Sequence, residues 1–477
     1  MTQAQRGPCI VVILALFLAA QSAWAVPSDS IPADRLGQYQ NLSVEWLQQY
    51  LRINTTNPPG NEAGAAAFFK NIFAAEGIQN QVFEYSPGRA NILARVPCTL
   101  TQGCQRPIIL LNHMDVVSSE PSHWRVPPFS GQIVDGSLYG RGAQDMKNEG
   151  MAQAVVMVML KREKVPLNRD VIFLATADEE VDDTGSLWMI KNQRDLFGNA
   201  QYLITEGGEN RLEENGRVQY VGVDVAEKSP FWLHVVAHGQ PGHGSRPIKD
   251  SAPDRLVAAL QKIIAYKPEL KLIPVVQQSL EDMAVFEPPE RAARFRNMKQ
   301  ALQNPKFRAE VRDDESLSYM LEDTIALTML GGSAQTNVIP NEAWANIDVR
   351  LLPGTDPQQF LESIRHAFDD PNVTIAPLTH FSKANASETN TPLWQAIQAA
   401  SEKYFGGAPV IPRLTSGYTE NQLYRQLGIT CYGFSPYTAT DAEGSTEHGD
   451  NERIRVEEVK RGPRVLYDVV MQIAGAK

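Results

Sequence analysis

The sequence predicts an α/β protein with a largely parallel sheet and helices on both faces, interrupted by a smaller α+β domain. Short apolar runs typical of buried strands alternate with helix-like segments through the first half of the chain. After residue 226 the pattern changes to half-exposed strands and a charged helical stretch. The first pattern returns from residue 383, which indicates that one domain is inserted into another.

The length of the chain sets the number of domains. A chain of 477 residues exceeds what one hydrophobic core usually supports, so at least two domains are expected. We assign residues 26–226 and 383–477 to the larger domain and residues 227–382 to the inserted one. With 43% hydrophobic and 21% charged residues, the composition is that of a folded globular protein.

The first 25 residues have the three parts of a secretory signal peptide. Arg6 provides a positive charge, residues 10–20 form an apolar core too short to span a bilayer, and Ala23-Trp24-Ala25 resembles a cleavage site. We therefore expect a secreted, periplasmic protein whose mature chain begins at Val26. An uncleaved membrane anchor is the alternative, and the early end of the apolar run argues against it.

The net charge argues against two classes of partner. It is −11 for the whole chain and becomes −12 when the signal peptide is removed, because Arg6 is the only charged residue lost. Such an acidic chain is not expected to bind nucleic acid or an anionic membrane surface.

Three cysteines lie outside the signal peptide, and their spacing does not resemble a zinc ribbon. Cys98 and Cys104 flank a polar loop that a disulfide could close in an oxidising compartment. Cys431 lies in an apolar segment and is interpreted as a small core residue.

Hydrophobic periodicity places the individual elements. Predicted helices of the larger domain cover residues 37–51, 63–75, 151–160 and a segment from 186. Predicted strands cover residues 81–85, 90–96, 107–111, 171–174 and 202–204. The inserted domain is predicted to contain strands at 231–236 and 343–351, an amphipathic helix at 256–266 and a charged, helix-rich stretch at 281–321.

Three predicted buried strands end in side chains that can bind metal. His113, the pair Glu179 and Glu180, and Glu206 each follow one of these strands. Ligands of open α/β sheets bind beyond the carboxyl ends of the strands, so we expect these side chains to meet at one edge. An isolated acidic run would be interpreted as a solvated turn. Asp178, the first residue of that run, has no assigned role, and its loss is expected to matter less.

Two further candidate ligands lie in loops. Asp145 precedes a predicted helix in a glycine-bearing loop, and His448 lies near the C-terminus. With the ligands at the strand ends they make five, which suits two metals if one carboxylate bridges them. Asp115, two residues after His113, can accept the ring proton of that histidine and fix the nitrogen that faces the metal.

These residues lie in motifs that resemble those of the dizinc exopeptidases. This family includes glutamate carboxypeptidase, aminoacylase, acetylornithine deacetylase and succinyl-diaminopimelate desuccinylase. The motifs occur in the family's order and span residues 113–448, nearly the whole mature chain. They are His113-Met-Asp115-Val-Val, Gly140-Arg-Gly-x-x-Asp145-x-Lys147, Asp178-Glu179-Glu180, Glu206-Gly-Gly, Gly242-His243-Gly-Ser-Arg-Pro247 and His448-Gly449.

The resemblance implies a metal ligand at each of five positions. His113 and Glu206 would bind one zinc ion, Glu180 and His448 would bind the other, and Asp145 would bridge the two. Manganese or cobalt are alternative metals, because carboxylate-rich sites also accept them.

For catalysis and substrate binding the resemblance implies five further residues. Glu179 would be the general base, and Asp115 would support the neighbouring histidine ligand. His243 would reach from the inserted domain to the developing oxyanion, and in dimeric relatives it comes from the partner subunit. The inserted domain would then be a lid and a possible homodimer contact. Asn337 and Arg350 match substrate-binding positions, although Arg350 could serve only to pair with acidic neighbours on its strand.

One segment departs from the family pattern. Where the family commonly shows Gly-x-Thr-Asp-x-Arg, this chain has Glu420 and Gln422. The departure affects the expected recognition of substrate more than metal binding, because none of the proposed ligands lies there.

Together these features predict a dinuclear zinc hydrolase that cleaves an amide bond next to a free carboxylate. Carboxypeptidase action on a small peptide is the first choice. Hydrolysis of an N-acyl amino acid is the alternative, since both substrates present the same amide and carboxylate. A catalytically inactive binding protein of the same fold is a third hypothesis, against which the intact Glu179 and the full ligand set argue.

Overall fold

The structure, a computed structural model, describes residues 28–378 and 383–476. The predicted signal peptide lies outside the described residues, and so does the predicted boundary at residue 382. Among the helices that are described, none is both long enough and apolar enough to cross a bilayer.

The helices up to residue 321 lie close to segments in which helical periodicity was recognised, whereas the helices Pro357–Phe368 and Val456–Ala474 were not predicted. Local signals set several of the helix ends. Ser251 and Asp254 form a capping box at the start of α5, and the Asp356 side chain accepts amide hydrogens at the start of α11. The helices are α1 Ala33–Leu51, α2 Glu62–Ala75, α3 Lys147–Arg162, α4 Thr184–Asn192, α5 Ala252–Ala265, α6 Pro274–Met283, α7 Pro289–Arg296, α8 Met298–Ala301, α9 Pro305–Asp313, α10 Glu315–Leu321, α11 Pro357–Phe368, α12 Pro392–Tyr404, α13 Asn421–Arg425, α14 Asp441–Gly444 and α15 Val456–Ala474.

The strands form a large mixed sheet, a smaller antiparallel sheet and short ribbons. They are β1 Gln79–Ser86, β2 Arg89–Val96, β3 Gln105–His113, β4 Ile133–Val134, β5 Ser137–Tyr139, β6 Arg169–Thr176, β7 Tyr202–Thr205, β8 Glu209–Leu212, β9 Val218–Glu227, β10 Ser229–Pro230, β11 Leu233–His238, β12 Gly242–His243, β13 Thr324–Gly331, β14 Val338–Ile339, β15 Glu342–Leu351, β16 Val373–Pro377, β17 Val410–Thr415, β18 Thr430–Gly433 and β19 Arg453–Arg455.

The large sheet has the order β1-β2-β6-β3-β7-β18-β9-β17, with β8 paired to β9. Its centre, β6-β3-β7-β18, is parallel, whereas β1 and β2 add antiparallel strands at one side. Helices α1, α2, α3, α12 and α15 cover one face, and α4 and α13 cover the other. The predicted fold class is therefore confirmed, and β9, which was not predicted, extends the sheet.

The inserted region contains an antiparallel sheet of β10, β15, β11 and β16, with β13 paired to β15. Helices α5 and α11 pack on this sheet around a separate apolar core. We call residues 229–266 and 324–377 the lid.

The charged stretch predicted at residues 281–321 lies within helices α6 to α10. These helices build their own apolar core, which includes Ala226, Leu352 and Leu414 of the neighbouring strands and loops. The buried Lys228 donates to the carbonyl oxygens of Tyr319 and Glu322, at 3.1 and 2.9 Å. The helical stretch is thus attached to the junction between the large sheet and the lid.

The cysteines of the described residues behave in two ways. Cys98 and Cys104 form a disulfide in the loop between β2 and β3. Cys431 is a free, buried thiol in β18 and packs in the core beneath α4 and α13, as its apolar context predicted.

Candidate metal centre

The candidate site lies where the central parallel strands end. β3 pairs with β6 on one side and with β7 on the other, and all three run in the same direction. Their carboxyl ends therefore bring His113, Glu179 with Glu180, and Glu206 to one edge of the sheet. This is the edge at which open α/β sheets bind ligands.

Asp145 lies between two histidine and glutamate pairs. The Nε2 atom of His113 is 2.9 Å from Oδ1 of Asp145 and 3.2 Å from Oε2 of Glu206. The Nε2 atom of His448 is 2.7 Å from Oδ2 of Asp145 and 3.2 Å from Oε2 of Glu180. The side chains thus form two groups, His113 with Glu206 and His448 with Glu180, and each histidine contacts a different oxygen of Asp145.

Asp115 contacts the site differently from the expectation. The Nδ1 atom of His113 lies 3.0 Å from the backbone oxygen of Asp115 and 3.6 Å from its carboxylate. The carboxylate instead accepts the backbone amides of Glu179 and Glu180, both at 3.1 Å. Asp115 therefore orients His113 mainly through its backbone carbonyl. Its side chain holds the turn that carries Glu179 and Glu180, which we call the acidic turn.

A buried ion pair joins the loops that carry Asp145 and His448. Arg141 and Glu452 are 2.6 Å apart and almost fully buried. Glu452 also accepts the backbone amides of Gly142, Gln144 and Asp145. Arg141 donates to the carbonyl oxygen of Gly449, which follows His448, at 2.9 Å. The pair therefore fixes the position of the two loops relative to each other, although they are distant in sequence.

Burial and mutual contact shift the pKa values of these groups strongly. Hydrogen bonds to Asp145 and Glu180 raise the pKa of His448 to about 11. Burial raises the pKa of Glu206 to about 8. Burial would also raise the pKa of Asp145, but its hydrogen bonds to His113 and His448 outweigh burial and hold it below the usual range. Burial, then the charge of Glu206, raises the pKa of Glu179 well above its ordinary value.

The donor set fits two divalent cations. Imidazole nitrogens and carboxylate oxygens are ligands of zinc, and the potential ligand atoms of His113, Asp145 and Glu180 lie within 4.8 Å of one another. The same holds for His113, Glu179 and Glu206. The Oε1 atom of Glu180 is buried without a hydrogen-bond partner. So many carboxylates in one place are costly unless cations neutralise them.

Metal binding is expected to release protons. At pH 7 in the metal-free protein, Glu206 with a pKa of about 8 and His448 with a pKa of about 11 are mostly protonated, and both must lose the proton to bind metal. Zinc affinity should therefore increase as the pH rises above 7. Calorimetric titration of the metal-free protein with zinc in two buffers of different ionisation enthalpy should show net proton release, and a binding heat that is independent of the buffer would contradict this.

A cleft of about 1350 Å³ opens at these ligands. Apart from the buried His113, the candidate ligands line it together with Glu179, Trp232 and Arg350. Arg350 is bound by Asp348 through Nε and Nη2, at 2.8 and 3.1 Å. The acidic partner that the sequence allowed is thus present.

Two predicted residues lie apart from this cleft. His243 is exposed in β12, and its Nδ1 is 2.8 Å from the hydroxyl oxygen of Ser245. Asn337 is exposed next to it, since its carbonyl oxygen accepts the amide of Gly244 at 2.8 Å. Neither residue lines the cleft. Within one chain the structure thus brings His243 and Asn337 together on the lid but not to the metal ligands.

The segment that departs from the family pattern lies behind the cleft wall. Glu420 is buried, and its Oε2 accepts the hydroxyl of Thr176 at the end of β6, at 2.9 Å. Burial raises the pKa of Glu420 to about 7. Gln422 is also buried, so the direct contacts to the cleft come from their neighbours Tyr418, Thr419 and Leu423.

Sequence reasoning missed the residues that hold the ligand loops. Arg141 and Glu452 lie inside or next to recognised motifs, and a charged residue beside a proposed ligand was the available signal. Nothing in the sequence pairs them, because they are 311 residues apart. Asn57 and Arg89, whose side chains donate to Asp178 beside Glu179, gave no signal in the sequence.

Comparison with known proteins identifies the family. Residues 109–472 match the family described as Peptidase family M20/M25/M40. The chain belongs to this family. The prediction of a dizinc exopeptidase relative is thereby confirmed, and the chain is a metal-dependent peptidase or amidohydrolase.

Similar M20 proteins include sequence relatives and solved structures. The chain is 27% identical to the N-fatty-acyl-amino acid synthase/hydrolase of Xenopus tropicalis, over 87% of this chain and 83% of that protein. It is 26% identical to aminoacylase-1 of Mus musculus, over 91% of this chain and 96% of that protein. An M20 family metallo-carboxypeptidase from Sulfolobus solfataricus has the same fold, with a TM-score of 0.67, 19% identity and coverage of 90% and 98%.

Proposed function

We propose that this M20 hydrolase removes the acyl group from N-acyl amino acids. Carboxypeptidase action was the first choice from the sequence alone. The similarity to an aminoacylase and to a fatty-acyl-amino acid hydrolase, over most of each chain, favours the acyl substrate.

The observation that carries this proposal is an apolar surface beside the metal ligands. Val181 directly follows Glu180, and Val181 and Leu187 are 44% and 46% exposed at the cleft. Leu423 lines the same cleft. Exposed large apolar side chains at a site indicate an apolar ligand. An acyl chain supplies that group, whereas the guanidinium of Arg350 suits the carboxylate of the amino acid.

The residues of the chain divide the chemistry between them. When bound, the metal pair supplies Lewis-acid polarisation of the scissile carbonyl and a water molecule of lowered pKa. Glu179 is placed to accept a proton from the attacking water and to return it to the leaving nitrogen. Burial and the charge of Glu206 raise the pKa of Glu179 well above its ordinary value, which favours uptake of a proton by this carboxylate.

We further propose that His243 and Asn337 reach the cleft from the lid of a second copy of the chain. Their exposure on one edge of the lid, away from the cleft of their own chain, supports this arrangement. A histidine donor would then stabilise the oxyanion that forms during hydrolysis.

Secretion to the periplasm remains part of the proposal. The signal-like pattern of residues 1–25 supports it. The disulfide between Cys98 and Cys104 also supports it, because such bonds persist mainly in oxidising compartments.

Paired substrates distinguish hydrolysis of N-acyl amino acids from hydrolysis of peptides. We expect N-lauroyl-phenylalanine to be hydrolysed with a kcat/KM at least about tenfold higher than that of the dipeptide Ala-Phe, because the apolar surface beside the metal ligands binds the acyl chain. N-acetyl-phenylalanine should lie between them. Release of phenylalanine is measured for all three substrates at equal zinc.

Carboxypeptidase action is the second candidate, and one observation favours it. The carboxylate of Asp182 is exposed at the cleft beside Val181, where it could pair with the free amino group of a peptide. Turnover of the dipeptide alone would establish this candidate and overturn the first.

A further inference from the structure

We propose that Asp178, Asn57 and Arg89 form a positioning network that fixes the turn carrying Glu179 and Glu180. From the sequence alone Asp178 has no role and its loss is expected to matter less. The contacts of Asp178 assign it a different importance. The kinetic part of this inference rests on the proposed amide hydrolysis, and the structural part does not.

Asp178 is the residue around which the acidic turn closes. Its φ is +75°, a left-handed conformation that is unfavourable for a residue with a side chain. Its carbonyl oxygen accepts the amides of Asp182 and Asp183, at 3.1 and 2.6 Å. A residue keeps such an unfavourable backbone conformation only where surrounding contacts stabilise it. The side-chain partners of Asp178 therefore maintain the conformation of the turn.

The Asp178 carboxylate is buried and has three side-chain partners. Oδ1 accepts a hydrogen bond from Nη2 of Arg89 and another from Nδ2 of Asn57, both at 2.7 Å. Oδ2 accepts the hydroxyl of Thr184, at the start of α4. These bonds hold the turn in addition to the contacts that its backbone makes with Asp115.

Asn57 joins the two carboxylates that hold the turn. Its Nδ2 atom donates to Asp178 at 2.7 Å and to Oδ2 of Asp115 at 2.8 Å. Asp115 in turn accepts the backbone amides of Glu179 and Glu180. The side chains of Asp115 and Asp178 therefore both stabilise the turn, and the side-chain amide of Asn57 bridges their carboxylates.

Arg89 connects the turn to strand β2 and helix α2. Its guanidinium donates to both carboxylate oxygens of Glu62, at 2.7 and 2.9 Å, and to Asp178. Arg89 begins β2 and Glu62 begins α2. The side chains of Glu62 and Asp178 are 0% and 7% exposed, so both charges depend on Arg89 for neutralisation.

The network acts through the turn and does not contact substrate. The cleft is lined by Glu179 and Glu180, and none of Asp178, Asn57 and Arg89 is among its lining residues. The two glutamates have different tasks, and each must be held to within about 0.5 Å of its productive position. A misplacement of about 1 Å can lower the rate by about 10²-fold.

Two arginines of β2 provide the test and its control. Arg89→Met removes the framework bond of the turn. Arg95→Met removes a more exposed ion pair, with Asp170, near the other end of the same strand and away from the site, so the comparison is made at equal loss of melting temperature. Arg89→Lys keeps the charge, and Asn57→Ala removes only the bridge between Asp115 and Asp178, which leaves no buried charge unpaired.

In the kinetic arm, kcat for N-lauroyl-phenylalanine should fall by about 10²-fold in Arg89→Met and in Asn57→Ala, while KM stays unchanged. Arg89→Lys should recover part of the loss, and Arg95→Met should keep the parent kcat. Equal losses in Arg89→Met and Arg95→Met, or losses that follow the melting temperature alone, would overturn the inference.

The second arm needs no turnover. Hydrogen exchange of backbone amides in residues 177–183 should become faster in Arg89→Met and Asn57→Ala than in Arg95→Met, with bound zinc measured alongside. Unchanged exchange in that segment refutes the positioning network. If the parent protein hydrolyses none of the substrates but the exchange differs as expected, the proposed function fails and the network stands.

Discussion

The Glu179→Gln protein is expected to bind two metal ions and to have a kcat about 10³-fold below that of the parent. General acid–base catalysis is worth about 10² to 10⁴-fold, and the amide of glutamine cannot accept and return a proton. Glutamine has nearly the same size, and the backbone amide of residue 179 still donates to Asp115, so the turn is retained. Turnover of an N-acyl amino acid and metal content by plasma emission spectrometry measure the two expectations.

The neighbouring glutamate supplies the control for this prediction. Glu180→Gln removes a carboxylate that lies 3.2 Å from His448, so one metal should be lost together with activity. Added zinc should restore part of the activity of Glu180→Gln and none of that of Glu179→Gln. If both variants lost metal equally, the separate tasks assigned to the two residues would be wrong.

Removal of Glu452 should destabilise the fold and weaken metal binding together. Glu452→Ala leaves Arg141 as an unpaired charge that is only 2% exposed, and it removes the acceptor for three backbone amides. Breaking a buried pair in this way costs about 3–5 kcal/mol. Chemical denaturation of the metal-free protein measures that cost, and zinc titration measures the loss of affinity.

A second buried pair separates stability from metal binding. Glu227 and Arg425 are 3.1 Å apart and as deeply buried, but they hold no loop that carries a candidate ligand. Glu227→Ala should therefore lose comparable stability and keep its zinc affinity. Normal zinc affinity in Glu452→Ala would show that Arg141 and Glu452 do not hold the ligand loops.

Strands β3, β6 and β7 of the central sheet could be predicted because each is a continuous apolar run that is visible in the local sequence. The metal-capable residues at the ends of β3, β6 and β7 followed from those runs, since parallel strands end at one edge. Asp145 and His448 lie in irregular loops without a strand pattern, so their residue types and the family motifs indicated them. β9 was missed although residues 220–227 are buried, because Gly222 and Asp224 interrupt what would otherwise be a continuous apolar run.

The supporting contacts could not be predicted for a different reason. Asn57 lies in a stretch interpreted only as a loop, and its partner Asp178 is 121 residues away. Arg89 lies directly before the predicted strand 90–96, and its sequence context assigned it no role. A sequence shows which side chains can form ion pairs, but the choice among many candidate partners is made by the folded backbone.

The order of the ligands along the chain constrains when the centre can form. His113 is supplied early, whereas His448 arrives only with the last segment, which also adds β18 beside β7 and the terminal helix α15. A chain still emerging from the ribosome or from a translocation channel holds four of the five candidate ligands and lacks only His448. The position next to Glu180 and His448 can therefore be completed only after synthesis and threading, and loss of residues 448–477 removes one of its ligands.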